Sequence, residues 1–130
     1  MPRTRRRRRV VAAWAVNLAY AGVIASLALL PASVQVGNRD WLFHALGFGL
    51  QAVLLTELTR RWWPPRTAVG GAAAAALLYG TLIEFLQIAV PSRRFEVRDL
   101  LANAIGVGVV TAMLLLAKSG RVQRAPEDLT

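Results

Sequence analysis

The chain has 130 residues, 55% of them hydrophobic, with a mean hydropathy of +0.43 and a formal charge of +9. That length holds one domain, and the absence of Cys excludes disulfides, thiolate metal ligands and a Cys nucleophile. The charge alone would suit a nucleic-acid binder, but charged and apolar residues are segregated along the chain, the pattern of a membrane protein.

Residues 1–9 form a basic tail that includes Arg5 to Arg9, and Val10 to Leu30 then runs for 21 residues without a charge. At ~1.5 Å per residue such a run reaches roughly 30 Å, the thickness of a bilayer core. It is too long for the apolar region of a cleaved signal peptide, normally about 7–15 residues. The arginine block is read as a contact to anionic lipid rather than to nucleic acid, because it directly precedes a span.

Pro31 to Asp40 is a polar loop. Trp41 to Leu58 is a second span, interrupted by His44, Gln51 and Glu57. Thr59 to Thr67 carries Arg60, Arg61 and Arg66, the interfacial pair Trp62 and Trp63, and Pro64-Pro65, which breaks the helix. Ala68 to Val90 is a third span with Glu84 and Gln87, Pro91 to Asp99 a third connection, and Leu100 to Ala117 a fourth span with Asn103. From Lys118 the chain is a polar tail. The expected organisation is therefore a basic tail over 1–9, a four-helix membrane domain over 10–117 and a polar tail over 118–130. Strands are excluded by span length and by the lack of two-residue alternation. Ala76 with Gly80, and Ala102 with Gly106, offer small-residue pairs for close helix contact.

Counting Lys and Arg orients the bundle. With both termini inside, twelve of the basic residues lie inside and four outside, as the positive-inside rule prefers. His44, Glu84, Gln87, Asp99 and Asn103 then gather in the outer third of the bilayer, under a loop bearing Arg93, Arg94 and Arg98. Glu84 and Gln87 share one helix face, as do Asp99, Asn103 and Gly106, and His44, Gly47, Phe48 and Gln51. A polar pocket among the second, third and fourth helices, open outward, is the expectation. An ionisable group at span centre costs at least ~2.5–3.5 kcal/mol, so Glu84 is a functional candidate by default. The bland alternatives are that Glu84 pairs with Arg93 or His44, that Gln87 and Asn103 only bond helices together, and that Asp99 only caps the fourth helix. Glu57 is read as a surface partner of Arg60 and Arg61, and Asn17 and Gln51 as packing contacts.

These residues carry a resemblance. Glu84-Phe-Leu-Gln87-Ile-Ala-Val-Pro91-Ser-Arg93 and Asp99-Leu-Leu-Ala-Asn103-Ala-Ile-Gly106 resemble the E-x2-Q-x3-P-x-R and D-x3-N-x2-G motifs of the VanZ-like family. Asp40-Trp-Leu-Phe-His44 fits the D-x3-H pattern that opens a span in that family. Trp41 departs from it, standing where Lys is frequent. The resemblance implies a small multi-pass protein of the bacterial cytoplasmic membrane. It also implies a cell-envelope role that includes glycopeptide (teicoplanin) tolerance.

Three function classes follow. The first is a binding protein whose site of His44, Glu84, Gln87, Arg93, Arg94, Asp99 and Asn103 takes a polar or anionic lipid headgroup, or a lipid-linked or glycopeptide ligand. Arg93 and Arg94 would meet phosphate or carboxylate, and Glu84, Gln87 and Asn103 would orient the ligand. The second is a membrane-embedded hydrolase or transferase with Glu84 and His44 as acid and base and Asp99 orienting the imidazole; no nucleophile is evident, since Ser92 sits in no motif. The third is a proton-coupled transporter, which would require a homodimer. Partners are thus membrane lipids and such a ligand, with no nucleic acid. No phosphate loop or His-rich metal motif is present, so no cofactor and no metal are expected.

Overall fold

The computed structural model describes residues 2–31 and 39–122; most of the first loop and the end of the C-terminal tail lie outside the described residues. Four helices follow one another: α1 (Pro2–Ala28), α2 (Asp40–Thr59), α3 (Pro65–Gln87) and α4 (Val97–Val122). Among the described residues there is no strand. All four helices are long and apolar enough to cross a membrane, so the protein is an all-α, multi-pass membrane bundle.

The helix ends differ from the sequence reading in instructive ways. α1 begins at Pro2 and continues through the arginine block. Arg is a good helix former, the stretch lacks Gly, and proline is tolerated at a first helical position. Pro64 is the N-cap of α3, extended at φ −55°, ψ 152°, and Pro65 opens the helix. The proline pair therefore ends the connection and starts α3 three residues ahead of Ala68. α3 closes at Gln87 rather than Val90, because Pro91 lies four residues on. α4 begins at Val97 and passes Ala117 to reach Val122.

α2 and α4 approach most closely. A Cβ on Gly106 would overlap the backbone of Ala45, and one on Gly49 would stand 3.2 Å from the Gly106 carbonyl oxygen. Gly80 gives the same closeness to Asn103 and Phe48. Small residues thus bring the backbones together, as expected where lipid removes the hydrophobic drive for helix association. Phe48, Ala52, Ala76, Ile83 and Val107 make the central cluster.

α1 joins the bundle through Ile24, Ala25 and Ala28, which pack against that cluster, and through polar bonds. Tyr20 donates to the Gly47 carbonyl (3.0 Å) and Tyr79 to that of Ala21 (2.6 Å). Asn17 donates to the Leu54 carbonyl (3.2 Å) and accepts from Gln51 (3.4 Å). Asn17 and Gln51 are packing contacts, as read from sequence.

Candidate functional site

Three helices bring three ionisable side chains to one point. His44 stands one turn into α2, Glu84 in the last turn of α3 and Asp99 in the first turn of α4. Their side chains are 7%, 0% and 4% exposed, far below what isolated charges tolerate. His44 Nδ1 lies 3.5 Å from Glu84 Oε1, and His44 Nε2 lies 3.5 Å from Asp99 Oδ2. The imidazole therefore stands between two carboxylates.

The supporting bonds fix this arrangement. His44 Nδ1 is 3.0 Å from Asn103 Oδ1, and Asn103 sits one turn beyond Asp99 on the same face of α4. An amide oxygen only accepts, so Nδ1 carries the proton and Nε2 faces Asp99. Glu84 Oε2 accepts from the backbone N–H of Glu96 (3.4 Å). Glu84 Oε1 and Asn103 Nδ2 are buried without a hydrogen-bond partner. Phe48 stacks on His44, ring centroids 6.0 Å apart, and closes its apolar side. Glu84 thus keeps company with His44, one of the two partners considered for it, and not with Arg93.

Arg93 does something else. Its Nε donates to the Leu30 carbonyl (2.9 Å), Nη2 to that of Ala28 (3.0 Å) and Nη1 to Asp40 Oδ2 (3.3 Å). Ala28 and Leu30 are where α1 ends and leaves carbonyls without intrahelical donors. The Val90–Arg93 turn aims the guanidinium there: Pro91 and Ser92 are its central residues, Ser92 has φ 69°, and Arg93 N–H bonds to Val90 O (3.1 Å). Proline followed by a positive φ is the type II pattern. Gln87 joins the same corner, donating to the Ala28 carbonyl (2.9 Å). Arg94 is exposed. Of the expected ligand-contacting set, the structure brings His44, Glu84, Asp99 and Asn103 together, sets Gln87 and Arg93 against the end of α1, and leaves Arg94 outside. Asp99 faces His44 across the bundle, beyond the capping place proposed for it.

Beside the cluster runs a groove of about 510 Å³ between α1 and α2. Val23, Leu27, Phe43 and Leu46 are among its apolar walls, and Asp40 and His44 give it a polar patch. Sequence reasoning missed Asp40 as a site residue, although its place one turn before His44 was a usable signal. It also missed Tyr20, which reaches the groove from α1. No metal was expected, because no short stretch holds a ligand motif. The fold nevertheless sets one donor atom each from His44, Glu84 and Asp99 within 4.8 Å of one another.

At the opposite end of the bundle, Arg5, Arg6, Arg9, Arg61 and Trp62 line a basic cleft. Glu57 pairs with Arg60 at 2.6 Å on the exposed surface.

A family model described as VanZ/LLP1 matches residues 4–118. No curated protein and no solved structure matches the chain.

Proposed function

From the premise that the chain belongs to the VanZ/LLP1 family, we propose that it is a protein of the bacterial cytoplasmic membrane that binds a lipid or lipid-anchored envelope ligand. The α1–α2 groove takes the acyl or prenyl chain, and the polar headgroup meets His44 and Asp40. The observation that carries this reading is the groove itself, apolar over most of its lining and polar where it meets the buried cluster. In a bilayer such a groove is bathed by chains of the kind it would hold. Both termini are cytoplasmic, which puts twelve basic residues inside and the His44 cluster in the outer half of the membrane. A role in tolerance of teicoplanin, which acts outside the membrane, fits that orientation.

The test uses the full chain in vesicles containing phosphatidylglycerol with a photoactivatable group on its acyl chain. Cross-links concentrated on the facing surfaces of α1 and α2 are expected. They should fall in Val23→Trp, a substitution at a groove residue that is 53% exposed and outside the core. Labelling spread evenly over all four helices, unchanged by the substitution, overturns the reading.

One observation favours a second reading. An imidazole with a carboxylate at each ring nitrogen is the arrangement of a general base held by an acceptor. As a hydrolase on a lipid-linked substrate, the protein would use His44 Nε2 to take a proton from water, with Asn103 and Glu84 orienting the ring at Nδ1. Purified protein that converts no lipid-linked cell-wall precursor sinks this alternative.

A further inference from the structure

We propose that His44, Glu84 and Asp99 form a binding site for one divalent transition-metal ion of the zinc type. The proposal stands on the side-chain cluster alone and does not rest on the groove holding a lipid.

Three observations converge. The first is geometry. One donor atom from each of the three residues lies within 4.8 Å of the other two, and His44 Nε2 is 3.5 Å from Asp99 Oδ2. Tetrahedral ligands with bonds of about 2.1 Å stand roughly 3.4 Å apart, so this pair already has the required separation. The second is the pattern of donors and acceptors. With Nδ1 committed to Asn103, Nε2 is left 3.5 Å from the Asp99 carboxylate, too far for a good N–H···O bond. Glu84 Oε1, on a side chain with no exposure, has no hydrogen-bond donor either. One cation between Nε2 and the Asp99 carboxylate would satisfy that facing pair, with Glu84 close enough to supply a third oxygen, since one donor atom from each residue lies within 4.8 Å of the others. The third is how the ligands are held. A ligating histidine commonly donates its other ring N–H to a neighbouring oxygen, and a ligating carboxylate is itself hydrogen-bonded. Asn103 holds His44, and the Glu96 N–H holds Glu84 through its other oxygen.

Charge points the same way. Two carboxylates ionised together in a buried site carry two negative charges, more than one imidazole balances. Asp40 is engaged by Arg93, so that arginine is not available to the cluster. A divalent ion balances both carboxylates. The imidazole favours a zinc-type ion over magnesium or calcium, which prefer oxygen alone. Three protein ligands leave a fourth position, as in zinc sites that keep a water or substrate. His44 is shared between the cluster and the groove, which gives the ion a route in.

The experiment uses tag-free, full-length protein in detergent, stripped with a chelator and titrated with Co²⁺ alone. One equivalent per chain is expected, with the visible absorption of a low-coordinate site, displaced by Zn²⁺. Glu84→Gln and Asp99→Asn should each weaken binding at least about tenfold. Glu57→Gln, which alters only the exposed pair with Arg60, should bind as the native chain does. Helical circular dichroism and a single elution peak verify that each variant is folded. Should Glu84→Gln fail to fold, Asp99→Asn and the native titration still decide. No saturable uptake by the native chain overturns the proposal. So does uptake without the absorption band, or uptake retained when the cluster carboxylates are neutralised.

Discussion

Arg93 makes three bonds to two chain segments at once: to the end of α1 through the Ala28 and Leu30 carbonyls, and to the first turn of α2 through Asp40. Its side chain is 8% exposed and that of Asp40 37%, so the ion pair itself is partly screened. The bond to the Leu30 carbonyl matters more, since the Ala28 carbonyl also accepts from Gln87. Arg93→Ala should cost roughly 1–3 kcal/mol, the range for leaving polar groups unpaired. Arg93→Lys should recover only part of that, because an ammonium lacks the planar fork. Arg94→Ala should change little. Thermal unfolding of the three variants in one detergent, followed by circular dichroism, measures the order. Equal losses at 93 and 94 would show that the clamp contributes nothing. The motif spacing already favours Arg93 over its neighbour. What spacing could not convey is the destination of its N–H groups, because main-chain carbonyls at a helix end have no sequence signature of their own.

At the scale of elements, the polar stripes were legible and their meeting point followed from them. Glu84 and Gln87 are three apart, Asp99 and Asn103 four apart, and each pair occupies one helix face. Once four antiparallel helices are packed, the polar faces have only each other to turn to. Other contacts left no readable trace. Tyr20 and Tyr79 look like ordinary span residues, yet both hydroxyls tie α1 to its neighbours. The groove arises from packing between α1 and α2, which periodicity does not describe. The small-residue pairs were visible, but only the structure distinguishes Gly106, pressed against Ala45, from Gly108, which faces open space. Gly106→Ala should therefore force α2 and α4 apart and cost at least about 1–3 kcal/mol, the range for overpacking. Gly108→Ala should be neutral or slightly stabilising, since alanine is the better helix former. Comparing the two in thermal unfolding isolates the crossing from propensity; a loss of stability in both would mean that the α2–α4 contact is not the cause.

At the scale of the whole molecule, the two ends of the bundle have different characters. One end holds the basic cleft of Arg5, Arg6, Arg9, Arg61 and Trp62, and the other the buried carboxylate–imidazole cluster under the Arg93 corner. Membership of the VanZ/LLP1 family turns this asymmetry into a question about teicoplanin, whose targets lie outside the membrane. Expression in a sensitive Gram-positive host should raise tolerance relative to empty vector if the cluster end acts at the outer face. Glu84→Gln keeps the size and nearly the shape of the side chain and removes its charge. If the cluster acts through that charge, the variant should lose the protection at equal membrane abundance, checked by blot. Protection retained in Glu84→Gln would reduce the carboxylate to a packing role and shift attention to the groove, where Val23→Trp is the informative variant. Absence of protection by the native chain would separate this protein from the resistance phenotype while leaving lipid and cation binding open to direct measurement. The three results lead to different molecular readings, because charge, groove and phenotype are varied one at a time.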